Sequence, residues 1–289
     1  MNITQLRTLV AIADSANFTV AASSLFLTPS AISHQMKELE EELETALFDR
    51  STRPPRLNAH GRAVVTQGRE VLLQFDALVD IARSPGEISG QLKLGCVSGV
   101  SSDLIPAALA QLRNTHPSVH VRMEEGLSDQ LAERVRRREL DAAIITELPD
   151  PDPKLQSLPI VEESLFVVAP VGTTASHWRD ALSMHPFIRL NRSAGMGTLI
   201  ERELRNSDLA LDDVMELDSS EAIVGMAKAG LGAGVVPGGR LKHVPADSVV
   251  VLPFGTPHLK RRVVLVERRD HARSDLSKLV FHALKQVSG

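Results

Sequence analysis

Three groups of polar side chains in this sequence could do chemistry, and in each group that chemistry is hydrogen bonding to a partner. The first group is Ser30, Ser33, His34 and Lys37, which recur at intervals of three and four residues. On a helix this spacing places three of them on one side, with Ser33 on the flank. Such groups at the start of a helix can hydrogen-bond to base edges and phosphates in a DNA groove. A solvated helix face without a partner is the alternative, and the spacing alone does not decide between them.

Arginines form the second group. Residues 49–57 carry Arg50, Arg53 and Arg56 together with two adjacent prolines, which preclude a helix there. An extended loop of this kind is typical of a wing that brings arginines to phosphates. Arginines in loops are more often only solvated, but a position directly after the polar helix favours contact with DNA.

Serines and glycines that follow predicted strands form the third group. Loops of this kind lead into helices, where free amides and hydroxyls can bind an anion. The predicted ligand contacts are Ser98, Gly99, Val100, Ser101, Ser102, Ser128, Thr146, Asn191, Arg192, Ser193, Gly197 and Thr198. Helix capping by the serines and an ordinary surface position for Arg192 are the alternatives.

Catalytic and metal-binding chemistry is not expected. Cys96 lies inside an apolar run, which is typical of a buried structural thiol. His116 and His120 are four residues apart, but a proline between them interrupts any helix that would align them. The glycines at 230–234 precede a predicted strand instead of opening a helix, so they do not form a dinucleotide loop. We therefore expect no enzyme activity, no metal and no cofactor.

Three short helices must position the first group. Apolar residues at three- and four-residue spacing over residues 3–13 predict a helix that Asn17 ends. Thr19 is expected to cap a second short helix. Thr28 and Pro29 then start a third helix, because threonine caps free amides and proline is tolerated in the first turn.

The third helix is predicted to run towards Glu44 with one apolar side. Its core-facing residues are Ile32, Met36, Leu39 and Leu43. Two short helices, a tight turn and a helix with an exposed polar face make a helix-turn-helix. Thr28 and Pro29 stand at the reading end of that helix and join the predicted DNA contacts.

A long helix is predicted from His60 onwards. Small or apolar residues recur on it with a heptad pattern, at Gly61, Val64, Gly68, Val71, Phe75, Leu78 and Ala82. The pattern predicts a two-stranded seam with a second copy of the chain. The predicted dimerisation contacts are Val64, Val71, Phe75, Leu78 and Ala82, while the two glycines would permit close approach. Packing of the same stripe on its own chain is the alternative, and Ser84-Pro85-Gly86 is expected to end the helix as a hinge.

Beyond Gly90, short apolar runs alternate with helical segments, which predicts an α/β domain. A second lobe is expected to begin after Pro170. Residues 263–267 are expected to return the chain to the first lobe, where a helix over residues 275–286 completes that lobe. Two crossings between lobes create a cleft suited to a ligand. The predicted boundaries are 1–59 for a DNA-binding domain, 60–88 for the linker and 89–289 for a ligand-binding domain. Lobe I would comprise about 89–168 and 268–289, and lobe II about 169–267.

Composition limits the remaining alternatives. The chain has 289 residues, enough for two or three domains, and 43% of them are apolar. The single cysteine excludes an internal disulfide and fits a reducing compartment. Neither a signal-like N-terminus nor a bilayer-length apolar run is present, so a cytoplasmic protein without membrane contact is expected. Because the net charge is −4, the DNA prediction depends on where charges lie and not on their total.

The order of these motifs resembles the LysR-type transcriptional regulators. The N-terminal segments that carry the resemblance are Phe18-Thr19-Val20-Ala21-Ala22, Leu27-Thr28-Pro29-Ser30-Ala31-Ile32-Ser33-His34-Gln35-Met36, Leu39-Glu40-Glu41-Glu42-Leu43, Leu47-Phe48-Asp49-Arg50 and Leu57-Asn58-Ala59-His60-Gly61. Further along they are Leu92-Lys93-Leu94-Gly95, Glu139-Leu140-Asp141-Ala142-Ala143-Ile144 and Ala229-Gly230-Leu231-Gly232-Ala233-Gly234-Val235-Val236-Pro237. Asn58 stands where threonine is usual in the family, and His34 where arginine is also common.

The resemblance implies a winged helix-turn-helix, a long linker helix and a two-lobed α/β effector domain similar to type II periplasmic binding proteins. It implies binding to double-stranded operator DNA as a dimer or a homotetramer of two dimers, action on RNA polymerase, and response to a small-molecule effector such as an organic or aromatic acid. Gln35 joins the predicted DNA contacts through its motif, and Arg192 could pair with an effector carboxylate. A solute-binding module or an enzyme of the same two-lobed fold is the alternative, but neither would need residues 1–85.

Overall fold

A computed structural model describes residues 1–15, 17–52, 54–83, 88–101, 104–207, 209, 211–271 and 274–288. The chain forms two compact units. One comprises Met1–Gly90 and Arg137–Glu139, and the other comprises Gln91–Arg136 and Leu140–Gly289. Among the described helices, none combines the length and the apolar character that crossing a bilayer requires.

The first unit is a winged helix-turn-helix followed by a long helix, as predicted. Its elements are α1 (Ile3–Ser15), α2 (Phe18–Ser24), α3 (Pro29–Glu42), β1 (Phe48–Asp49), β2 (Arg56–Leu57) and α4 (Ala59–Arg83). Leu9, Ile32, Leu39 and Leu47 are fully buried where these elements meet. β1 and β2 pair antiparallel and form the base of the wing.

The ends of the short helices follow local hydrogen bonding. The Thr28 hydroxyl accepts from the amide of Ala31, which confirms the predicted start of α3. The predicted cap of α2 was wrong, because Asn17 has extended backbone and its side chain accepts from the Thr19 amide at 2.8 Å. α3 ends at Glu42, two residues earlier than predicted, and Glu44 has a left-handed φ of 49° that cannot continue a helix.

One side of the first turns of α4 packs against its own unit. Asn58 caps the helix by accepting from the Gly61 amide at 2.9 Å. A Cβ at Gly61 would lie 2.2 Å from the Leu47 carbonyl oxygen, and one at Gly68 would lie 3.3 Å from Leu6. Both glycines therefore permit close approach of the same chain and not of a partner helix, which corrects the prediction for them.

Farther along α4 the predicted dimerisation stripe is exposed to solvent. Val64 is half-buried against the helix-turn-helix core, so packing on the same chain holds for this residue. Val71, Phe75 and Leu78 are 40%, 39% and 65% exposed, respectively. The side chain of Ala82 and the predicted hinge at 84–86 lie outside the described part of the chain.

The second unit is a two-lobed α/β structure, as predicted. Its first elements are β3 (Gly90–Cys96), α5 (Ser98–Ser101), α6 (Ile105–Thr115), β4 (Val119–Glu125), α7 (Ser128–Arg136), β5 (Ala142–Thr146), β6 (Leu155–Ala169), α8 (Trp178–Met184) and β7 (Phe187–Leu190). Its remaining elements are α9 (Gly195–Asn206), β8 (Asp213–Leu217), α10 (Ser220–Lys228), β9 (Ala233–Pro237), α11 (Gly238–Leu241), β10 (Val250–Pro253), β11 (Lys260–Arg268) and α12 (Ser274–Ser288).

One long strand, β6, belongs to both lobes. The strand order is β4-β3-β5-β11-β6-β9-β7-β8, with β10 also pairing with β6. Up to Ser164, β6 pairs with β11, and from Leu165 it pairs with β9. The chain therefore crosses into lobe II near residue 165 and returns near 260, several residues before the predicted boundaries at 169 and 268. The predicted boundary was late because Pro170 only ends a strand that had already crossed.

Each lobe has its own apolar core. In lobe I, β3, β5 and β11 pack against α6 and α12 around Leu94, Ile144 and Leu265. In lobe II, Trp178 of α8 packs edge-on against Phe254, with ring centroids 4.9 Å apart. The sequence interpretation did not include α8, β8 or β10, which are short elements whose burial depends on lobe II as a whole.

Cys96 lies at the end of β3 within the lobe I core and is fully buried. Burial raises the pKa of its thiol to about 12, and the nearby Glu125 carboxylate acts in the same direction. Only the thiolate is nucleophilic, so at pH 8 the native protein would carry Cys96 almost entirely as the unreactive thiol.

We therefore expect Cys96 to resist the thiol reagent DTNB in the native protein at pH 8. In guanidinium chloride, where burial is lost, one thiol per chain should react rapidly. Absorbance of the released thionitrobenzoate measures both reactions. Full reaction of the native protein within minutes would show that the thiol is accessible and that its assignment to the core is wrong.

Candidate DNA interface and effector cavity

The helix α3 presents a polar face to solvent. Its buried side carries Ile32, Met36 and Leu39. The exposed residues at its start and along its outer face include Thr28, Pro29, Ser30, Ser33, His34 and Lys37, together with the glutamates Glu38 and Glu41. The structure thus groups six of the predicted DNA contacts on one surface of the helix-turn-helix.

The charged groups on this face are held only loosely. His34 lies 3.5 Å from Glu38, and Lys37 lies 3.5 Å from Glu41, each one helical turn along. Exposed pairs of this kind contribute little stability, so both side chains can exchange a carboxylate for a phosphate or a base. The Ser33 hydroxyl donates to the Pro29 carbonyl at 2.9 Å and keeps its oxygen lone pairs for a donor.

Gln35 differs from the other predicted contacts. Its side chain is half-buried, and its carbonyl oxygen accepts from the Thr8 hydroxyl at 2.7 Å. This bond ties α3 to α1. Gln35 therefore fixes the orientation of the polar face, whatever further contact its amide makes.

The wing arginines have different surroundings. Arg50 donates to Glu40 at 2.6 Å, and the other oxygen of Glu40 accepts from the amides of Leu47 and Phe48. Arg50 thereby ties the wing to α3. Arg56 is exposed on β2, and Arg53 lies outside the described residues.

A further hydrogen bond holds the start of the wing turn, at Asp49 of β1. Hydrogen bonds from Ser51 hold the pKa of the Asp49 carboxyl below its usual range. The ionised carboxylate accepts from the Ser51 amide at 2.9 Å and so holds the chain direction where it leaves β1.

A cavity of about 410 Å³ lies between the two lobes of the second unit. This volume is within the range of small-molecule sites. Its lining residues are Val97, Ser98, Gly99, Glu125, Gly126, Leu127, Ser128, Gln130, Thr146, Leu190, Asn191, Ala194, Gly195, Met196, Asp218, Ser220 and Arg261. They come from strand ends and helix starts of both lobes, where backbone amides and short polar side chains converge.

Five of the predicted ligand contacts line this cavity: Ser98, Gly99, Ser128, Thr146 and Asn191. The others lie elsewhere or outside the described residues. Ser102 and the side chain of Ser101 belong to the second case. Val100 is buried in the lobe I core, where its side chain packs among apolar residues.

Of the predicted contacts around the start of α9, only Asn191 lines the cavity, and Ala194, Gly195 and Met196 line it in place of the others. A Cβ at Gly197 would lie 2.0 Å from the Asn191 carbonyl oxygen, so this glycine is needed for a tight turn and not for a ligand. The Thr198 hydroxyl donates to the Arg192 carbonyl at 3.1 Å. Arg192 and Ser193 are exposed and are not part of the lining.

Besides Nη2 of Arg261, which is ion-paired with Glu163 without a hydrogen bond to any described residue, the cavity leaves one more buried polar side chain unsatisfied, that of Ser128. It is 1% exposed, and its hydroxyl has no hydrogen-bond partner among the described residues. Gly195 of the opposite lobe stands over it, because a Cβ there would lie 2.8 Å from the hydroxyl oxygen and 3.1 Å from Thr146. A buried hydroxyl without a partner is costly, so a ligand atom that bonds to it would be stabilised.

The start of helix α9 also lies at this cavity. Its cap residue, Ala194, has no side chain that could bond to the first amides, and Ala194, Gly195 and Met196 all line the cavity. Backbone amides at the start of a twelve-residue helix favour an anion through their donors and through the helix dipole.

The cation at the cavity is Arg261 and not Arg192. Arg261 is 3% exposed, lies on β11 and donates from Nε to Glu163 at 2.6 Å. One of its terminal nitrogens lies 3.5 Å from the Cβ position of Gly99. A period-two pattern could have found it, because Arg261 alternates in phase with the buried Val263 and Leu265.

Two carboxylates of the lining were also missed. Asp218 directly follows β8, as Asn191 follows the parallel strand β7, and Asn191 donates to Asp218 at 2.6 Å. Glu125 ends β4 in lobe I. The signal was present in the sequence, since residues that follow parallel strands meet at one edge of a sheet.

The sequence analysis considered two further kinds of site, a metal site and a dinucleotide loop. Within the described part of the chain, no three His, Cys, Asp or Glu side chains are placed to hold a metal ion. Gly230 and Gly232 form the turn before β9 with left-handed φ values of 77° and 157°. A Cβ at Gly232 would lie 2.4 Å from the Pro186 carbonyl oxygen, so the backbone conformation accounts for the glycines.

Comparison with known families matches nearly the whole chain. Residues 3–62 match the bacterial regulatory helix-turn-helix family of lysR type, and residues 85–289 match the LysR substrate binding domain. Among curated relatives, the uncharacterized HTH-type transcriptional regulator YbhD of Escherichia coli K12 is 26% identical over 98% of this chain and 90% of its own length. The HTH-type transcriptional regulator CzcR of Bacillus cereus is 28% identical over 84% of this chain and 83% of its own length.

Solved structures show the same fold. A full-length OxyR variant from Pseudomonas aeruginosa superposes with a TM-score of 0.74 at 24% identity, covering 100% of this chain and 99% of that one. Full-length CbnR in complex with its target DNA superposes with a TM-score of 0.64 at 18% identity, covering 99% of this chain and 100% of that one.

Both family matches agree with the helix-turn-helix that exposes α3 and with the two-lobed unit that holds the cavity. This chain therefore belongs to the LysR family and is a DNA-binding transcriptional regulator with an effector-binding domain.

Proposed function

We propose that this regulator binds operator DNA as a dimer through the exposed face of α3, and that an organic acid bound between the lobes changes that binding. The observation that carries the proposal is the buried hydroxyl of Ser128, which faces the cavity and has no hydrogen-bond partner in the part of the chain that the structure describes. Polar groups inside proteins are almost always satisfied. A site that leaves one unsatisfied is built for a partner that supplies the missing hydrogen bond.

The donors of the lining support a carboxylate as that partner. The amides at the start of α9 and the Ser128 hydroxyl are donors that converge on one end of the cavity. A carboxylate offers two oxygens, enough to accept from both. Leu127, Leu190 and Met196 supply apolar surface for the remainder of the molecule. The effector is therefore an organic acid with an apolar part, of a size that 410 Å³ can hold.

Dimerisation is proposed through the open half of α4. Val71, Phe75 and Leu78 form an exposed apolar stripe on a helix of 25 residues, which is about 37 Å long. A second copy packed on this stripe would bury it as a two-stranded seam. Two copies of α3 would then read two half-sites, and the second contact would be strengthened by effective concentration.

Regulation follows from lobe movement. An acid that bonds to both Ser128 of lobe I and α9 of lobe II favours the closed arrangement of the lobes. In a pair of dimers this closure would change the spacing of the DNA-binding domains and the bend of the operator. The regulator would then act on RNA polymerase in the cytoplasm, at promoters next to its operators.

For the DNA interface, we expect Ser33→Ala and His34→Ala each to weaken binding to the operator about tenfold while leaving binding to random DNA nearly unchanged. Loss of a base contact lowers specific affinity, whereas non-specific affinity depends on phosphates. Gel-shift titration at fixed salt, with the DNA upstream of the gene and a scrambled duplex, measures both affinities.

His120→Ala is the matched control, because this histidine is exposed on β4 of the other unit and should leave both affinities unchanged. Equal losses on operator and scrambled DNA for the α3 variants would show that Ser33 and His34 contact only phosphates. No loss on either duplex would remove α3 from the interface.

For the dimer, we expect Phe75→Asp or Leu78→Asp to shift the protein towards monomers in sedimentation analysis. A carboxylate placed in an apolar seam loses its hydration without gaining a partner. Thr66→Asp is the control, since this residue is exposed on the opposite side of α4. Wild-type mass for both stripe variants would show that the dimer, if formed, uses another surface.

For the effector site, we expect Gly195→Ala to abolish the rise in melting temperature that a bound carboxylate produces. The added methyl group would occupy the space next to Ser128 and Thr146. A thermal-shift screen with aliphatic and aromatic carboxylates measures the effect, since a ligand of the folded state raises its melting temperature.

Gly225→Ala is the matched glycine control, because a Cβ at this position in α10 meets nothing within 4 Å. An unchanged ligand response in Gly195→Ala would place the carboxylate site elsewhere. Absence of any stabilising carboxylate for the wild type would contradict the proposed organic-acid effector.

A further inference from the structure

The turn between α2 and α3 exposes an aromatic side chain. Phe26 is 97% exposed, more than any other large apolar residue in the described part of the chain. Its ring makes almost no contact with its own chain, so it adds little to the stability of the helix-turn-helix. Single exposed apolar residues are common on protein surfaces, so exposure alone does not assign a partner to Phe26.

The backbone of Phe26 is also unusual for an aromatic residue. Its φ is 56°, in the left-handed region that glycine usually occupies after a helix. The Phe26 amide donates to the Ser23 carbonyl at 3.2 Å. The Leu27 amide donates to the Ala22 carbonyl at 2.9 Å, and the two bonds together end α2 as a Schellman motif. Only backbone atoms take part in these bonds, so the turn needs a left-handed residue but not a phenyl ring.

The turn after α3 has the same backbone with a different side chain. Glu44 has a φ of 49°, and the Thr45 amide donates to the Glu40 carbonyl at 3.1 Å. The Glu44 side chain is exposed and charged, so water hydrates it well. At Phe26 an apolar ring is in water instead, which is unfavourable until a partner covers it.

Phe26 lies next to the helix face that is proposed to read DNA. Thr28, which caps α3, follows two residues later, so the two Cα atoms are at most about 7 Å apart. The first turn of a recognition helix enters the major groove. A ring attached just before that turn would lie at the same groove, where the C5-methyl of thymine is the apolar group on a base-pair edge.

We propose that Phe26 contacts thymine methyl groups of the operator and so contributes to sequence specificity. This inference rests on the proposed binding of DNA through α3 and adds a contact that involves no hydrogen bond. Binding would remove both the ring and the methyl group from water, which is favourable. The contact would be available at an A·T pair and absent at a G·C pair.

The test uses the DNA upstream of the gene, amplified once with dTTP and once with dUTP. Uracil keeps the hydrogen-bonding groups of thymine and lacks its methyl group. Gel-shift titration with the full-length protein at fixed salt measures both affinities. We expect the wild type to bind the thymine duplex about tenfold more tightly than the uracil duplex, and Phe26→Ala to reduce this ratio to about threefold or less, because the variant has no ring to contact the methyl group.

Met184→Ala is the matched control, because it removes an exposed apolar side chain from α8 of the other unit and should leave the ratio unchanged. Melting temperature reports folding. Phe26→Ala should melt within about 2 °C of the wild type, since removal of an exposed ring leaves no cavity. Phe26→Gly suits the left-handed turn and should lose the same discrimination, which makes it a second, independent variant.

The outcomes separate this inference from the function it rests on. A wild type that binds both duplexes equally, or an unchanged ratio in both Phe26 variants, overturns the thymine contact, while losses in Ser33→Ala and His34→Ala would still support α3 as the reading helix. A large fall in the melting temperature of both variants would show that the ring is structural. Wild-type affinities combined with weaker transcription by RNA polymerase in vitro would assign the ring to a protein partner and also overturn the inference. If the wild type binds the upstream DNA no better than a scrambled duplex, the proposed function falls as well.

Discussion

The shared strand β6 is the constraint on which the ligand-binding unit depends. It pairs with β11 in lobe I and continues without a break into pairing with β9 in lobe II. Because one strand serves two sheets, the lobes are joined along a single line and cannot slide freely past each other. The ends of β3, β5 and β7 then open into a common space, and the cavity lies there.

Recognition in this cavity is built from dipoles and hydrogen bonds more than from free charge. The buried cation, Arg261, is ion-paired with Glu163, although one of its terminal nitrogens makes no hydrogen bond to a described residue. The Ser128 hydroxyl and the start of α9 are also available to a ligand. Hydrogen bonds in a partly dehydrated site are strong, and leaving them unmade is costly. The close approach of Gly195 to Ser128 across the lobes makes a ligand at this point sensitive to lobe position.

The two ends of helix α4 have different surroundings. Its first turns pack on the helix-turn-helix, where Gly61 touches the Leu47 carbonyl and Val65 enters the core. Later turns carry Phe75 and Leu78, which remain exposed in the single chain. A stiff helix with one buried end and one open apolar stripe suits a linker that fixes a DNA reader at one end and offers a contact to a second copy.

The sequence by itself determined the features that depend on neighbours three or four residues away. The start of α3 at Thr28 and Pro29, its polar face, the wing and the alternation of strands and helices all follow from local hydrogen bonding and from periodicity. Periodicity could have placed Arg261 on the buried face of β11, but only the tertiary structure decided that this face meets the cavity. Tertiary structure also decided that Gly61 faces its own chain and that β6 crosses between lobes. These depend on contacts between residues distant along the chain, and no local pattern records which distant partner a side chain will meet.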